Sequence, residues 1–435
     1  MELQNVVLVD GVRTPFARGG RGMLVATRLD ETGAQVLRTL MERNPKVKPA
    51  MIEDIGLGNV MGVRELVGIG ANFVGRLAGL PAEACSFDTN RQCGSSMETL
   101  HRVTQSIMVG ATECGIALGI ERMGRQLGGG GGSDGRNRVT EFNKRFLEQN
   151  ELQRNMAHDH DQYFSAKFPD YILDSPPLMS MTQTAQNVAE VYSLTREEMD
   201  EFAVISHRKC AEAYDKGTYK NEVLALQVEK PVFDNEGNWL PDEKGEMVIF
   251  DRDEGLRPGT NIEALSQLKP IGGIVSYGNK EIVITAGNSC PTNDGVSAAL
   301  LMSEEKAKEL GLEPLARVVG MGVAGVKPQV MGLGPVPSTH KALRHAGIDA
   351  GKIDRVEFNE AFAAQVIPSC KELGIPLDRV NVNGGSLAIG HPLGATGARL
   401  VTTVAMELRR SGKRYGLATQ CIGAGMGIST IVEAL

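Results

Sequence analysis

Short apolar runs alternate with amphipathic stretches along the chain, and this pattern predicts a mixed α/β protein. Apolar runs rich in β-branched residues predict buried strands; they include 6–9, 282–284, 318–319 and 380–382. Apolar residues spaced three or four positions apart at 97–107 and at 400–408 predict helices with one buried face. The stretch 184–213 is predicted as one long helical segment.

The chain also contains a weak internal repeat. Ile52 and Ile353 occupy equivalent places in two similar segments, at an offset of 353 − 52 = 301 positions. Gly115 and Gly416 begin two similar strand-like runs at the same offset, 416 − 115 = 301. Two independent matches at one offset predict a duplicated α/β half.

The middle of the chain differs from the two repeated parts, because it is richer in charge and holds the glycine run Gly128–Gly132. We therefore predict an N-terminal α/β half at 1–120, an inserted loop domain at 121–270 and a C-terminal α/β half at 271–435. The glycine run is predicted as a flexible loop, since no GxxxxGK[ST] phosphate-binding pattern surrounds it.

Composition excludes several classes of function. With 42% hydrophobic and 23% charged residues, the chain of 435 residues has the profile of an ordinary globular enzyme. A net charge of -7 argues against nucleic-acid binding. Neither a signal peptide nor an apolar run of roughly 18 residues is present, which predicts a cytoplasmic protein without a membrane span. Seven scattered cysteines without CxxC pairs disfavour a disulfide framework and a zinc site, so no metal is predicted.

Cys93 is the first candidate for covalent chemistry. The segment Asn90–Ser96 lies between a predicted strand and an amphipathic helix that opens near Ser95, which puts the Cys93 sulfur at a helix N-terminus. Free N–H groups and the helix dipole favour a thiolate there, so the pKa is predicted to lie well below its reference of about 8.5. An inert, buried thiol in a turn is an equally open alternative on this segment alone.

His391 is the second candidate, because a glycine-rich turn after the predicted strand at 380–382 delivers it. A histidine in such a turn could activate a thiol as a general base. A single histidine in a turn is more often structural, so a catalytic role depends on which other candidate residues lie near it. Asn359–Phe362 and Gln420–Gly425 also follow predicted strands, and a site in a duplicated α/β fold needs such turns at its strand ends.

Together these segments resemble the thiolase family over the whole length of the chain. The family's motifs match Cys93-Gly94-Ser95, Asn359-Glu360-Ala361-Phe362, Gly390-His391-Pro392 and Cys421-Ile422-Gly423. The resemblance implies duplicated α/β halves in a layered αβαβα fold with an inserted loop domain. It also implies an enzyme that transfers acyl groups between coenzyme A thioesters.

The resemblance assigns a role to each of five residues. His391 takes the proton of Cys93, whose thiolate attacks an acyl-CoA and forms an acyl-enzyme. Cys421 then removes the α-proton of acetyl-CoA, and the carbanion attacks the acyl-enzyme to give a 3-ketoacyl-CoA; cleavage by free coenzyme A is the reverse. His391 and a water held by Asn359 would bind the enolate oxygen. The N–H groups of Cys93 and Gly423 would bind the tetrahedral oxyanion.

Coenzyme A and acyl-CoA are therefore expected as substrates, with no permanently bound cofactor. The residues that the resemblance places beside them are Arg257, Met181, Ser289, Cys290 and Phe362. By the same resemblance we expect a homodimer or a homotetramer, with room for an accessory subunit.

Departures from the family pattern concern the substrate. Ser180 precedes Met181 where acetoacetyl-specific members usually have histidine, and Cys290 with Pro291 replaces a serine and glycine pair. The segment 124–178 is also longer than in the short members. It either enlarges the acyl pocket, which predicts a substrate bulkier than acetoacetyl-CoA, or thickens a subunit contact.

Two rival functions are weighed against the thiolase reading. A ketoacyl synthase shares the duplicated fold and a cysteine nucleophile but pairs it with two histidines, or with histidine and asparagine. Cys421 and the turn at 359–362 speak against it. A non-catalytic acyl-CoA-binding scaffold would be expected to lack one of the reactive residues, and all are present. The remaining histidines are interpreted as structural or solvated: His101, His158, His160, His207, His340 and His345.

Overall fold

The computed structural model describes residues 3–62, 64–66, 68–124, 151, 179–276 and 280–435. Its strands are β1 (Val6–Arg13), β2 (Ala17–Arg18), β3 (Asp54–Gly58), β4 (Cys85–Thr89), β5 (Cys114–Arg122), β6 (Leu226–Glu229), β7 (Met247–Phe250), β8 (Asn293–Ser303), β9 (Ala316–Gly325), β10 (Arg355–Phe358), β11 (Tyr415–Ile422) and β12 (Met426–Ala434). Its α-helices are α1 (Leu29–Arg43), α2 (Gly70–Leu77), α3 (Ser95–Met108), α4 (Met181–Val191), α5 (Arg196–Asp215), α6 (Ile262–Ser266), α7 (Glu304–Glu309), α8 (Pro335–Ala346), α9 (Ala363–Leu373), α10 (Ser386–Ile389) and α11 (Leu393–Ser411).

Most strands belong to a ten-stranded sheet with the order β4, β3, β5, β8, β1, β9, β12, β11, β10, while β2 pairs beside β8. Strands β1 and β9 meet only where Val7 and Leu8 pair with Arg317 and Ala316. We call β4, β3, β5, β8 and β1 the first half-sheet, and the remaining four strands the second half-sheet. Strands β6 and β7 form a separate hairpin.

The two half-sheets repeat the same pairing. In the first, β3 and β5 run parallel with Asp54 opposite Gly115; in the second, β10 and β11 run parallel with Arg355 opposite Gly416. These pairs are related by the offset found in the sequence, since 355 − 54 = 301 and 416 − 115 = 301. The predicted duplication is confirmed.

Two helices form the central layer. Helices α3 and α11 pack against each other, and each contacts strands of both half-sheets. Residues 394–405 of α11 are all buried, as expected for a helix enclosed between sheets. Helices α1 and α2 cover the outer face of the first half-sheet, and α8 covers the second. The layering is the predicted αβαβα arrangement.

Glycines permit the close approach of the central helices. A Cβ added to Gly397 on α11 would lie 2.3 Å from the backbone nitrogen of Met97 on α3. A Cβ added to Gly119 on β5 would lie 2.4 Å from the carbonyl oxygen of Gly394. Larger residues at either position would separate the N-terminal turns of the two central helices.

Two of the predicted strands are wrong. The run 282–284 lies in a loop, where the Ile284 carbonyl accepts from the Ile271 N–H at 2.9 Å and the next residue, Thr285, forms only an isolated bridge with Pro270. The run 380–382 makes only an isolated bridge from Val380 to Val356, because Asn381 adopts a left-handed φ of 44°. Burial alone explains the apolar residues in both runs.

The predicted single helix at 184–213 is two helices. Helix α4 ends at Val191, and Ser193 has a φ of 53°, which a right-handed helix cannot accommodate. A new helix starts after Thr195, whose hydroxyl accepts from the Glu198 N–H while the Glu198 carboxylate accepts from the Thr195 N–H.

The division at residues 120 and 270 stays a prediction. Strand β8 bears on the second boundary, because it follows residue 270 and lies between β1 and β5 of the first half-sheet. We propose that the first half resumes at β8 after the inserted segment. In the part of the chain that the structure describes, no helix has the length and apolar character needed to cross a bilayer.

Candidate active site

Cys93 lies in a tight turn between β4 and the N-terminus of α3. Gln92 adopts a left-handed φ of 47°, which is uncommon for a residue with a side chain. The Ser95 hydroxyl and the Ser95 N–H both donate to the Gln92 carbonyl, at 2.6 and 3.0 Å, and hold this turn. The Cys93 side chain therefore has one fixed position at the start of the helix, as the sequence predicts.

Burial dominates the electrostatics of Cys93. The residue is 8% exposed, and its burial raises the pKa of the thiol to about 11. The N–H groups of Gly423 and of Cys93 itself point at the sulfur and lower this pKa, but by less than burial raises it. The buried carboxyl of Glu121 raises it further. The prediction of a lowered pKa is therefore wrong, and Cys93 rests as a neutral thiol.

His391 is held by hydrogen bonds on both ring nitrogens. Its Nδ1 lies 2.7 Å from the Thr396 hydroxyl, which itself donates to the Pro392 carbonyl at 2.8 Å. The hydroxyl oxygen can therefore only accept from Nδ1–H, so Nδ1 carries the proton and Nε2 presents a lone pair. The Asn359 amide nitrogen lies 3.2 Å from that Nε2.

The surroundings keep His391 neutral. Burial, and then the positive charge of Arg399, lower the pKa of its imidazole to about 3. A neutral imidazole can take the proton of a neutral thiol only when attack on a substrate makes the transfer favourable.

A buried chain of hydrogen bonds orients Asn359. The Ser386 hydroxyl donates to the Asn359 side-chain oxygen at 2.7 Å and accepts from the Arg399 guanidinium at 3.1 Å. Arg399 is in turn paired with the Glu357 carboxylate at 2.6 Å, and both residues are buried. Because the side-chain oxygen of Asn359 is engaged, its amide nitrogen faces His391.

Cys421 lies at the end of β11, close to Cys93. Burial and then the charge of an ionised Cys93 raise the pKa of Cys421 well above its usual value, and Cys290 contributes in the same direction. Burial, and then the charge of an ionised Cys93, raise the pKa of Cys290 well above its usual value. Mutual effects of this kind require that the three thiols share one buried region. The Gln420 amide also donates to the Cys93 carbonyl, which ties the end of β11 to the Cys93 turn.

A surface pocket next to this region has two cationic side chains at its rim. Arg18 and Arg257 are exposed and line the pocket together with the buried His207 and with Ser289; its other lining residues are Gly255, Thr260, Leu265, Ala286, Gly287, Pro291 and Leu387. The Arg257 N–H donates to His207 Nδ1 at 3.3 Å, which gives this histidine the structural contact expected of it.

Buried ion pairs anchor the segment that carries Arg257. The Arg13 guanidinium contacts both carboxylate oxygens of Asp253, at 2.7 and 3.0 Å, and its Nε lies 2.5 Å from Glu222. The same Asp253 accepts from the Tyr214 hydroxyl at 2.7 Å. Paired and hydrogen-bonded charges of this kind tolerate full burial.

The remaining predicted binding residues are Ser289, Cys290 and Phe362, whose segments are joined by backbone contacts, and Met181. Ser289 forms an isolated bridge with Phe362, and the Cys290 N–H donates to the Ala361 carbonyl at 2.9 Å. Phe362 is buried, and Cys290 is half-buried in contact with the same apolar cluster as Cys421. Met181 is half-buried in the first turn of α4.

Comparison with known proteins identifies the family. Residues 6–305 match the family model described as "Thiolase, N-terminal domain", and residues 312–434 match "Thiolase, C-terminal domain". The chain belongs to the thiolase family. This thiolase is 38% identical to the 3-ketoacyl-CoA thiolase of Vibrio vulnificus strain CMCP6, over 99% of the chain and 100% of the relative. It is also 38% identical to that of Photobacterium profundum, with the same coverage.

Solved structures agree with this assignment. The Bacillus anthracis acetyl-CoA acetyltransferase has a TM-score of 0.79 and 32% identity, with 100% of both chains covered. Human mitochondrial 3-ketoacyl-CoA thiolase in complex with CoA has a TM-score of 0.78 and 31% identity, covering 99% of this chain and 98% of that one. The chain is thus an acyltransferase of the thiolase type, and the ketoacyl synthase and scaffold readings are not favoured.

Sequence reasoning on this thiolase missed several residues of the site. Thr396, Ser386, Gln365, Glu121 and Arg18 contact or face the predicted ones. The sequence offered one signal for Gln365 and Thr396: each lies on the first turn of the helix that follows a predicted site residue. Gln365 is three positions after Phe362, and Thr396 is five positions after His391. The contacts of Arg18 and Glu121 depend on long-range packing.

Some predictions lie outside the described residues. They concern the glycine run 128–132, His158 and His160. They also concern the long segment 124–178, of which only residues 124 and 151 are described. The suggestion of an enlarged acyl pocket therefore stays a prediction.

The neutral state of Cys93 predicts its reactivity. We expect iodoacetamide to alkylate Cys93 about tenfold faster for each pH unit from 7 to 10, because the reactive thiolate accumulates only as the pH nears a pKa of about 11. Peptide mass spectrometry would follow the reaction, with Cys93→Ser to assign the labelled peptide. A rate that is already constant at pH 7 would contradict the neutral pair and indicate a thiolate with a protonated His391.

Proposed function

We propose that this thiolase forms and cleaves 3-ketoacyl-CoA through an acyl group carried on Cys93. The observation that supports this most directly is the meeting of Cys93 with Cys421 and with the N–H of Gly423 in one buried region, although they come from opposite halves of the chain. The names of the relatives, 3-ketoacyl-CoA thiolase, agree with that chemistry.

In the first step, His391 acts as the general base. Its Nε2 lone pair receives the Cys93 proton as the sulfur attacks the thioester carbon of an acyl-CoA, and coenzyme A leaves as the thiol. The imidazole is uncharged at neutral pH, so it can accept the proton during attack and return it to the leaving sulfur. The Arg399 charge helps to keep it uncharged.

In the second step, Cys421 handles the proton on carbon. Its thiolate takes the α-proton of acetyl-CoA, and the resulting carbanion attacks the carbonyl carbon of the acyl group on Cys93. The C–S bond to Cys93 breaks, a 3-ketoacyl-CoA is released, and the Cys93 thiolate takes back the proton from Cys421. In cleavage, the same sulfur starts as a thiol and gives its proton to the departing carbanion. The raised pKa of Cys421 favours the thiol, the form that cleavage needs.

Two donor pairs would stabilise negative oxygen in these steps. The N–H groups of Cys93 and Gly423 already point toward the sulfur, where the oxyanion of the tetrahedral intermediate would form. The Asn359 amide, directly or through a water, and His391 once its Nε2 carries a proton would hold the enolate oxygen. Loss of one such donor typically costs about a hundredfold to a thousandfold in rate.

Coenzyme A is proposed to enter through the pocket of Arg18 and Arg257. The two cationic side chains at the rim suit its phosphates. Ser289, Cys290 and Phe362 would form the wall of the path from this pocket to the thiols. Met181, on the opposite helix α4, would contact the acyl end. An acyl group bulkier than acetoacetyl remains our proposal for the substrate, together with a cytoplasmic location and an optional accessory subunit.

The division of labour between the two cysteines predicts different defects. Cys93→Ala should abolish acyl-enzyme formation, because no other residue supplies the nucleophile. Cys421→Ala should still form the acyl-enzyme but lose condensation and cleavage by at least about a hundredfold. Intact-protein mass spectrometry after incubation with acetyl-CoA measures the first reaction, and absorbance of a 3-ketoacyl-CoA measures the second.

Cys290→Ala serves as the matched control for removal of a nearby thiol, and it should retain the acyl-enzyme. Persistence of an acyl adduct in the Cys93 variant would overturn the assignment of the nucleophile. A 3-ketoacyl series that includes acetoacetyl, straight-chain, branched and aromatic groups would test the substrate; acetoacetyl-CoA as the best substrate would contradict the bulkier acyl group.

The cationic rim predicts a binding defect. Arg257→Ala and Arg18→Ala should each raise the KM for coenzyme A roughly fivefold with little change in kcat, because phosphate contacts are the same in the ground and transition states. The effect should shrink at high salt. Arg252→Ala is the matched control, since Arg252 stacks on Tyr214 and does not line the pocket. An unchanged KM in both rim variants would move the coenzyme A entrance elsewhere.

We propose that β4 and α2 form the contact of a homodimer. Strand β4 lies at one end of the sheet order, with a hydrogen-bonding edge beyond it. Next to it, α2 and the residue before it expose three apolar side chains four positions apart: Ile69, Phe73 and Leu77, at 56%, 47% and 40%. An exposed apolar stripe beside an open strand edge is typical of a subunit contact.

Phe73→Asp should therefore shift the protein from dimer to monomer, because it places a charge in the apolar stripe. Light scattering coupled to size exclusion measures the mass. Ile249→Asp is the control, since Ile249 is exposed to 63% on the separate β6–β7 hairpin. A wild-type protein that runs as a monomer, or a Phe73 variant that stays dimeric, would contradict this interface.

A further inference from the structure

We propose that Gln365 is a positioning residue for Cys421: its side-chain oxygen accepts the thiol hydrogen and fixes the sulfur where carbon is protonated and deprotonated. The inference rests on the proposed function, in which Cys421 handles that proton. It deepens the proposal by naming the group that sets the aim of the second step.

The contact is direct and buried. The Cys421 sulfur lies 3.1 Å from Gln365 Oε1, and both side chains are shielded from solvent, at 1% and 0% exposure. Gln365 lies on α9, whereas Cys421 ends β11, so the bond joins a helix to the strand end that carries the reactive sulfur.

A second hydrogen bond fixes which end of the amide faces the thiol. Gln365 Nε2 donates to the backbone carbonyl of Asn359 at 2.9 Å. A flipped amide would set its oxygen against that carbonyl oxygen and lose both bonds, so Oε1 must face Cys421. The backbone of Gly332 packs closely on the base of this side chain, since an added Cβ at Gly332 would lie 2.8 Å from Gln365 Cβ.

This arrangement selects one orientation of the cysteine. A cysteine side chain has three staggered positions about its Cα–Cβ bond, and only a fixed one keeps the sulfur beside Cys93. The thiol hydrogen can still rotate about the Cβ–S bond from Gln365 to the substrate carbon. In cleavage, the S–H bond breaks, a C–H bond forms, and the electron pair of the carbanion ends in the new C–H bond while sulfur keeps the charge. Displacement of a reacting atom by about 1 Å can cost a hundredfold.

The same glutamine also connects the two reaction centres. The backbone carbonyl of Asn359 accepts from the Gln365 amide, and the Asn359 side chain faces His391. Gln365 therefore connects Cys421, the residue of the second half-reaction, with the Asn359–His391 pair. A residue that only supports the fold would affect both half-reactions alike. A residue that aims Cys421 should affect the second far more than the first.

Gln365→Met tests the inference: methionine has a similar length but lacks both the oxygen that accepts from Cys421 and the amide that donates to the Asn359 carbonyl, so a loss largely confined to the second half-reaction identifies the contact with Cys421. We expect hydrogen–deuterium exchange at the α-carbon of acetyl-CoA in D2O to slow by about tenfold to a hundredfold. Formation of the Cys93 acyl-enzyme should stay within about twofold of wild type. Nuclear magnetic resonance follows the exchange, and intact-protein mass spectrometry follows the acylation.

Vibrational spectroscopy supplies a readout that a structural role would not move. The S–H stretching band of Cys421, obtained as the difference between wild type and Cys421→Ala, should shift to higher wavenumber in Gln365→Met because the hydrogen bond is lost. Gln186→Met is the matched control. Gln186 is equally buried and also donates to a backbone carbonyl, that of Glu281 at 3.0 Å, so it should change neither the band nor either half-reaction.

The outcomes separate this inference from the proposed function. If Cys421→Ala retains α-proton exchange, the proposed role of Cys421 fails. If Cys421→Ala loses exchange while Gln365→Met leaves the exchange rate and the S–H band at wild-type values, only the role of Gln365 is overturned. Equal losses of acylation and exchange in Gln365→Met would also overturn it, since they indicate support of the fold alone.

Discussion

The close packing of the two central helices is the constraint on which this thiolase depends. Gly397 brings α11 against the backbone of Met97 on α3, and Gly119 lets β5 touch the first turn of α11. Met97 and Gly397 lie near the N-termini of α3 and α11, so this contact brings together the helix ends that follow Cys93 and His391. A wider separation of the helices would move these two residues apart and abolish the proton transfer proposed between them.

Burial in that layer sets the charge state of the site. Because they are shielded from bulk solvent, the thiols of Cys93 and Cys421 hold their protons and the imidazole of His391 stays uncharged. The charges that do lie in this layer, such as Arg399 and Glu357, are paired and serve to orient neutral groups around them. The site is therefore a set of aimed, uncharged donors and acceptors, in which charge develops only during the proposed reaction.

Much of the fold and of the candidate site could be predicted from local pattern. The repeat at 301 positions marked strands that pair in identical register, and the glycine-rich turns marked His391 and Cys421. Two strand predictions failed, because the runs at 282–284 and 380–382 are buried by packing around loops, and an apolar run reports burial without reporting a hydrogen-bond partner. The prediction of one helix across Ser193 also failed, since the amphipathic periodicity continues across the break between the two helices.

The sequence by itself determined the family and the duplication and indicated the candidate reactive residues, because these depend on short motifs and on one constant offset. Only the tertiary structure decided the protonation of Cys93, where loss of solvent outweighs the helix N-terminus that the sequence displays. It also decided the partners of the site, from Gln365 and Ser386 to Arg399. Desolvation and hydrogen-bond partnership depend on which distant segments meet, and no local spacing records that.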